Sequence, residues 1–321
     1  MKFKQKIRWV LVFVLLVAAP NQSAAEIDIR VATQAAPKVS VVLVWSEFPG
    51  VERFNLYRKK NAVSPYPSSP LNAKPIEILT DQAEILIWIP AYREEWNTIE
   101  QALADPPGPP VTPLFDPLKL STIPRGSEKF ERLQILIRSY WKIGVAAGQG
   151  YLDSKVIPGQ EYFYELRGVD PAGIEIGILA TNISITAGQP VELQAPSDLV
   201  ADPGDSKILL LWNEVPQASG FNVYRAAQSA GPYERVNDVS MPARVVYDLD
   251  GELLSPAGSS SNGFVDFQRW DDVGNPVSHE VNGREIDGPQ NGTTYYYKVA
   301  SLDLLGQEGP KSSVPVNATP Y

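Results

Sequence analysis

The feature that most constrains this chain is a set of sequence blocks that occur twice. The stretch WSEFPGVERFNLYR at 45–58 aligns without a gap on WNEVPQASGFNVYR at 212–225. Two further blocks recur in the same order: GYLD (150–153) with GFVD (263–266), and GQEYFYELRGVDPAGIE (159–175) with GTTYYYKVASLDLLGQE (292–308). Several blocks repeated in one order indicate internal duplication, so we expect two copies of one domain. A chain of 321 residues has room for both.

The repeated blocks alternate as antiparallel strands do. Tyr162, Tyr164 and Leu166 occupy every second position of their block. This period of two places one set of side chains on a buried face of a sheet. The 29 prolines and 23 glycines are spread along the chain and favour short strands joined by turns. We therefore predict a mainly β fold of antiparallel sandwiches rather than a parallel sheet.

The order of the blocks resembles a fibronectin type III module. The resemblance rests on a strand that ends in Trp, a next strand that contains Tyr-Arg, and the motif G-x-x-Y-x-Y near the end of each copy. It implies two immunoglobulin-like sandwiches in tandem over most of 30–321. It also implies that Trp45 and Trp212 pack between the sheets, and that Tyr162 and Tyr295 each form a corner with an upstream backbone partner.

Both copies are longer than the roughly 100 residues of a plain module, so each carries an insertion after its repeated strand. The spacing predicts a first module over 30–187 with an insertion at about 60–149, and a second over 197–321 with an insertion at about 226–291. The proline-flanked linker between them, 188–196, is expected to hold the modules end to end with limited flexing.

The first insertion is predicted to be partly helical. EILIWIP (84–90) has the pattern of a strand, and EEWNTIEQALAD (94–105) has that of a short helix. Ser127 is placed to cap a second helix, EKFERLQILIRSYWKIG. The apolar stripe of that helix consists of Phe130, Leu133, Ile137 and Trp141. Two interpretations stay open: the helices pack on their own module, or they offer their stripes to a partner.

The second insertion is predicted to consist of loops and a hairpin. AGSSSNG (257–263) is expected to be a flexible loop. The turn-forming GNP and NG sequences that follow predict a small extra β-hairpin within 267–291. In the last repeated block, Asp170 and Asp303 are expected to close the turn between the final two strands of each module.

Residues 1–25 have the organisation of a signal peptide. Basic residues precede the apolar run WVLVFVLLVAA (9–19), and the small residues Ser23 and Ala25 suit cleavage before Glu26. The run is shorter than the roughly 20 residues of a membrane span, although a retained N-terminal anchor is an alternative. The mature chain is expected to be a secreted or periplasmic bacterial protein with no later transmembrane segment. It has no cysteine and hence no disulfide framework.

The net charge of the chain limits the classes of molecule that we expect it to bind. The net charge is −9, and loss of the four basic residues before position 9 makes it −13. An acidic surface repels phosphate groups, so nucleic acids and anionic membranes are not expected partners. We expect a protein or a glycan at the cell surface.

Sequence motifs for catalysis are missing. The one histidine, His279, is expected to be solvated in a loop, and neither G-x-S-x-G nor a nucleotide-binding glycine motif occurs. Without cysteine, thiol nucleophiles and His/Cys zinc sites are excluded. We expect no catalytic residue and no cofactor. The nearest approach to a metal site is a calcium-like acidic turn, Asp248, Asp250 and Glu252, to which Asp266, Asp271 and Asp272 would add oxygens.

The leading functional hypothesis is a secreted, non-catalytic interaction or structural protein of the cell envelope or extracellular space. Its two modules would act as a scaffold, and the insertion of the first would offer the recognition surface. The alternative is a carbohydrate-binding or accessory protein of extracellular polysaccharide metabolism. In that case Trp96, Trp141 or Trp270 would be exposed and would stack on sugar rings. A third hypothesis, an unrecognised enzyme within 60–149, is limited by the small size of that segment.

Overall fold

The computed structural model describes residues 29–34, 38–89, 117–237, 241–243, 246–247, 253–255, 261–271 and 273–321. The predicted signal peptide (1–25) and the predicted helix at 94–105 lie outside the described residues. Where the structure describes the chain, the strand pairs are antiparallel. The predicted fold is confirmed: it is mainly β, with two immunoglobulin-like sandwiches in tandem.

The first sandwich contains two facing sheets of three strands each. Its strands are β1 (Ile29–Gln34), β2 (Ser40–Trp45), β3 (Arg53–Lys59), β4 (Gly150–Asp153), β5 (Glu161–Val169) and β6 (Glu175–Thr186). The strand orders are β1-β2-β4 and β3-β5-β6. Trp45 and Phe54 meet edge-on in the core between the sheets, with 5.4 Å between their ring centroids.

The second sandwich repeats this arrangement with additional short strands. Its strands are β7 (Val200–Gly204), β8 (Lys207–Asn213), β9 (Gly220–Ala226), β10 (Glu234–Arg235), β11 (Met241–Pro242), β12 (Val246–Tyr247), β13 (Leu253–Ser255), β14 (Ser261–Phe267), β15 (Arg269–Trp270), β16 (Pro276–Val277), β17 (His279–Val281), β18 (Arg284–Ile286), β19 (Tyr295–Leu302), β20 (Glu308–Lys311) and β21 (Val316–Ala318). One sheet has the order β14-β8-β7, and the facing sheet is built around β9 and β19. Trp212 and Phe221 meet edge-on in its core at 5.1 Å, as Trp45 and Phe54 do.

Strand β2 is buried along its whole length because both of its faces are covered. Val41, Leu43 and Trp45 face the core of the sandwich. Val42 and Val44 point the other way and contact the helices of the insertion. This double burial explains why the sequence of the strand is a continuous apolar run instead of an alternating one.

An arginine, an aspartate and a tyrosine link the two sheets of the first sandwich. Nη1 of Arg58 on β3 lies 2.5 Å from Oδ2 of Asp153 on β4, and the Tyr164 hydroxyl on β5 donates to the same oxygen at 2.9 Å. The guanidinium of Arg58 also lies 4.7 Å from the ring centroid of Tyr162. Because Asp153 belongs to one sheet while Arg58 and Tyr164 belong to the other, this cluster fastens the sheets together.

The same cluster recurs in the second sandwich. Arg225 on β9 and the Tyr297 hydroxyl on β19 each lie 2.8 Å from Oδ2 of Asp266 on β14. The guanidinium of Arg225 lies over the Tyr295 ring, as Arg58 does over its own tyrosine. Burial and the neighbouring Asp266 raise the pKa of Tyr297 well above its ordinary value, so its hydroxyl stays a donor. All members of both clusters belong to the repeated blocks, so the duplication encodes this contact twice.

In each sandwich, two side chains on the face of the repeated strand that points away from the core donate hydrogen bonds to one glutamate of another strand. Asn55 donates to Glu175 at 2.8 Å, and the Tyr57 hydroxyl donates to the same oxygen. Burial, followed by the bond to Glu175, raises the pKa of Tyr57 to about 12. The second sandwich makes the equivalent contacts with Asn222, Tyr224 and Glu308.

The prediction of a strand over 84–90 is wrong. Residues Gln82–Trp88 form helix α1, and the Asp81 side chain caps it by accepting from two backbone N–H groups at 2.8 and 3.1 Å. Ile85 and Ile89 lie one turn apart and both enter the apolar cluster of the insertion. A short apolar run fits a strand or a buried helix equally well, and here the cap and the neighbouring helices favour the helix.

The predicted second helix forms, but it is broken in two. Ser127 caps α2 (Glu128–Ser139), and its Oγ accepts from the Phe130 N–H at 3.2 Å. Tyr140 is extended and ends this helix, and α3 (Trp141–Ala146) follows at once. A 3₁₀ helix, Pro117–Thr122, precedes both.

The described helices of the insertion bury one apolar face each within the chain itself. Phe130, Leu133 and Ile137 of α2 form one cluster with the outer side chains of β2. Leu304 of the second sandwich is buried in the same cluster. Of the two interpretations of the stripe, the structure shows packing on the protein's own elements.

Two loops at one end of the second sandwich lie against the first. Gln217 reaches the free edge of β1, where its side-chain amide accepts from the Val31 N–H at 3.4 Å and donates to the Ile29 carbonyl at 3.3 Å. The buried guanidinium of Arg30 donates to the carbonyl of Ala218. From the other loop, Gln307 donates to the Thr33 carbonyl at 3.2 Å. Strand β1 therefore receives the end of the second sandwich.

The segment between the sandwiches is also packed. Leu193 is buried, and the Ser301 hydroxyl donates to the Gln194 carbonyl at 2.9 Å. The linker is thus packed against the second sandwich, and limited flexing at the junction stays a prediction. The module boundaries at 30–187, 188–196 and 197–321, and both insertion boundaries, stay predictions.

The hairpins of the second insertion form as two separate units. One pairs β15 with β16, and the other pairs β17 with β18 through a turn at Asn282 and Gly283, both with positive φ. The predicted loop at 257–263 is wrong in its last three residues, which begin β14 and pair with β8; its residues 257–260 lie outside the described part. Among the described residues, none of the helices is long and apolar enough to cross a membrane.

Replacing Trp212 with alanine is expected to lower the free energy of unfolding by about 3–5 kcal/mol, because it empties the centre of the second core. That loss is a large part of the roughly 5–15 kcal/mol that stabilises a typical domain. Urea unfolding followed by circular dichroism measures it. Trp270→Ala is the matched control, since this tryptophan of the same sandwich is 55% exposed. Similar losses for both variants would contradict the assignment of Trp212 to the core.

Candidate interaction surfaces

The described residues contain no group of three or more His, Asp or Glu side chains that could hold a metal ion. His279 is not the solvated loop residue that was predicted. It is buried at the start of β17, and its Nε2 lies 3.1 Å from the Val236 carbonyl oxygen. The apolar residues beside it, Val281 and Ile286, belong to the core, and this hairpin carries the ring inward.

The acidic residues considered for calcium are either occupied elsewhere or outside the described part. Asp248, Asp250, Glu252 and Asp272 lie outside the described residues. Asp266 is not a free oxygen donor, because Arg225 and Tyr297 share its carboxylate. The Asp271 carboxylate accepts from the N–H groups of Val273 and Asn275 and so closes its own turn. These hydrogen bonds lower the pKa of Asp271.

The four residues expected to be structural lie as follows. Trp45 and Trp212 are buried between the sheets of their sandwiches. The Tyr162 hydroxyl accepts from the Ile157 N–H at 3.0 Å, and the Tyr295 hydroxyl accepts from the Gln290 N–H at 3.1 Å. Each tyrosine thus has a backbone partner five residues upstream.

The three tryptophans suggested for ligand stacking differ in their surroundings. Trp96 lies outside the described residues. Trp141 is half-buried at the start of α3, where its ring packs edge-on against Trp88 at 5.8 Å and joins the apolar cluster of the insertion. Trp141 is thus less exposed than Trp270.

Of the two described tryptophans, Trp270 is the exposed one. It lies on β15, opposite Pro276 of β16, in a hairpin whose turn contains Val273 and Gly274. Gln268 closes the base of the hairpin by donating to the Arg269 and Val277 carbonyls. Val273 is largely exposed as well, so the hairpin presents apolar side chains to solvent on a short, hydrogen-bonded support.

Helix α1 exposes apolar side chains on the side opposite to its buried one. Ile85 and Ile89 are buried, whereas Leu86 is partly exposed and Ile87 is 73% exposed. Leu86 and Ile87 are adjacent in sequence and together place a small apolar area in water. This is the exposed apolar part of the described insertion helices.

The free end of the first sandwich is a third apolar surface. The loop between β5 and β6 ends in Ile174, which is 64% exposed, and Ile176 and Ile178 of β6 are exposed as well. Asp170 closes this loop by accepting from the Ile174 N–H at 2.8 Å, as predicted. Strand β6 is an edge strand with three irregularities in its register, and such bulges protect an edge from simple strand addition.

Asp303 has a different environment from Asp170, its counterpart in the repeat. Its Oδ1 accepts from the N–H groups of Leu305 and Gln307 at 2.8 and 2.9 Å, so it closes its turn as predicted. Docking of this loop on the first sandwich leaves the carboxyl buried, and Oδ2 has no hydrogen-bond partner among the described residues. Burial raises the pKa of Asp303, although the N–H donors oppose the shift.

An open cleft of about 510 Å³ lies beside the junction. Its walls come from the edge of β1, the end of β6 and residues 189–192, and the Gln217 side chain borders it. Among the described residues that line it, Glu192 is the charged one. The negative charge of Glu192 disfavours a phosphate or carboxylate ligand beside it.

Comparison with known proteins gives matches to solved structures alone. No protein-family model and no curated protein matches the chain. A Fn3-like protein from Clostridium thermocellum aligns with 41% of this chain and 97% of its own, at 20% identity and a TM-score of 0.24. The FN1–FN3 domains of chicken CNTN1 align with 91% of this chain and 66% of their own, at 12% identity and a TM-score of 0.24. At these scores the fold assignment rests on the strand order and register within the chain.

Asp303→Asn is expected to change how stability depends on pH. Above the ordinary pKa of 3.8, the unfolded chain loses this proton while the folded chain keeps it up to its raised pKa. Wild-type stability therefore falls as the pH rises through that window. The difference in free energy of unfolding, variant minus wild type, should rise with pH there and then level off. Urea unfolding from pH 4 to 8 measures this difference. A difference that does not change with pH would contradict a buried Asp303 carboxyl group with a raised pKa.

Proposed function

We propose that this chain is an exported, non-catalytic protein that serves as a scaffold and binding module in the cell envelope or the extracellular space. The observation that carries the proposal is the junction between the sandwiches. Gln217, Arg30 and Gln307 join them through hydrogen bonds, and Leu304 is buried among the insertion helices. A chain that fixes two sandwiches against each other holds its outer surfaces at a set separation, which suits a scaffold.

We further propose that the first insertion contributes the recognition surface. Its described helices use their main apolar stripes for internal packing, so recognition falls to the outer side of α1. Leu86 and Ile87 are the exposed aliphatic residues there. Apolar side chains flanked by polar ones are typical of a protein-binding surface. The proposed partner is a protein.

Export is part of the proposal and follows from the N-terminal sequence. A basic start, a short apolar run and small residues before Glu26 fit a cleaved signal. The absence of cysteine and the net charge of about −13 after cleavage fit a bacterial envelope protein that avoids anionic surfaces.

Co-sedimentation with the producing cell's own envelope tests this proposal. We expect the purified chain to sediment with envelope material, and we expect protease treatment of that material to abolish binding. Ile87→Asp should weaken binding by roughly tenfold or more, which corresponds to about 1.4 kcal/mol. Val314→Asp is the control, because Val314 is equally exposed on the second sandwich. Equal binding by both variants would contradict the assignment to α1.

A second candidate function is carbohydrate binding, and the exposure of Trp270 favours it. A flat indole on a hydrogen-bonded hairpin provides a stacking surface for a sugar ring, and Pro276 beside it extends the apolar surface. In the same sedimentation assay, this function predicts binding that survives protease.

For the carbohydrate function, Trp270→Ala should reduce the protease-resistant binding by about tenfold or more. Trp270→Phe should retain part of it, because a smaller ring face remains. Unchanged binding by Trp270→Ala would exclude the hairpin as the sugar platform.

A further inference from the structure

The end of the second sandwich that packs on the first has a counterpart at the end of the first sandwich. In the repeat alignment, Gln217 corresponds to Gly50, and both have left-handed backbone conformations, with φ of 63° and 77°. Leu304 and Gln307 correspond to Pro171 and Ile174. The end of the second sandwich is thus a docking surface within the chain, while the equivalent end of the first sandwich is free.

The free end is at least as apolar as the docked one. Pro171 and Ala172 are exposed, and Ile174 stands in water at the position where Gln307 contacts β1 in the docked copy. Ile176 extends the same surface and is also exposed. An exposed aliphatic cluster at the position of a known docking surface indicates a site for a partner.

The receiving surface also has a free counterpart. Strand β1 receives the second sandwich, and in the repeat β7 takes its place: both are edge strands, and Val200 occupies the position of Arg30. Arg30 is buried and donates to the Ala218 carbonyl of the docked sandwich, whereas Val200 is 53% exposed. Leu211 of β8 lies next to Val200 in the ladder and is only partly buried.

We propose that this protein associates head to tail with further copies of itself. The free end of the first sandwich, Pro171, Ile174 and Ile176, docks beside Val200 on the outer side of β7 in the next copy. The contact repeats, between molecules, the one that joins the two sandwiches within the chain. Because donor and acceptor surfaces differ and sit on different sandwiches, the contact is heterologous and leads to an open series of oligomers or a ring. This inference is independent of the recognition surface proposed on α1.

The electrostatics of the chain predict how such association responds to salt. Each copy carries a large negative charge, about −13 after removal of the N-terminal basic residues. Copies therefore repel each other at low ionic strength, while the contact itself is apolar. Added salt screens the repulsion and leaves the apolar contact intact, so association should strengthen with salt.

Sedimentation velocity of the purified chain at about 1–100 μM tests the proposal. We expect species larger than the monomer that grow with protein concentration and with salt. Ile174→Asp, in the donor surface, and Val200→Asp, in the acceptor surface, should each give monomers at all concentrations. Val314→Asp is the control and should associate as the wild type does. Circular dichroism melting of each variant separates loss of association from loss of folding.

The decisive arm mixes the two monomeric variants. Ile174→Asp retains an intact acceptor and Val200→Asp an intact donor, so an equimolar mixture should form dimers and stop there. A two-fold symmetric contact would give no dimers in this mixture. A wild type that stays monomeric throughout the range, a control variant that fails to associate, or a mixture that stays monomeric would overturn the proposal.

Discussion

Each sandwich depends on a buried carboxylate from one sheet that an arginine and a tyrosine of the facing sheet both contact. Burying a carboxylate is costly unless it is paired and hydrogen-bonded. Asp153 and Asp266 meet both requirements only when the strands that carry their partners lie in one particular alignment. A buried ion pair adds little net stability over apolar residues of similar volume, so we infer that its role here is to specify how the two sheets face each other.

The need to keep this contact between the sheets accounts for which residues are the same in both copies of the repeat and which differ. The repeated tryptophans fill the cores, and the arginine, aspartate and tyrosine of each cluster join the two sheets. The junction uses loop positions within the repeated blocks at which the residues differ between the copies, such as Gln217 and Gln307. The insertions supply the exposed side of α1 and the Trp270 hairpin. Interaction is expected on those parts, which a fixed frame holds in place.

The sequence was sufficient to predict the sandwiches because strand alternation and repeated blocks are local signals. It was insufficient for α1, since a seven-residue apolar run fits a strand as well as a helix until the Asp81 cap and the packing are known. The Arg–Asp–Tyr clusters had a visible signal, because every member recurs, but spacing alone does not say which residues meet across two sheets. The burial of His279 and Asp303 depends on how a hairpin folds inward and how a loop docks, and neither is encoded locally.

A double-mutant cycle on Arg225 and Asp266 tests the central claim most directly. Arg225→Met, Asp266→Asn and the double variant are compared with the wild type by urea unfolding. If the pair fastens the sheets, each single variant loses about 3–5 kcal/mol, because its partner is left buried and uncompensated. The double variant should then lose less than the sum, by roughly 0.5–3 kcal/mol. Losses that add to within about 0.5 kcal/mol would mean that the two residues act independently, which would contradict the account.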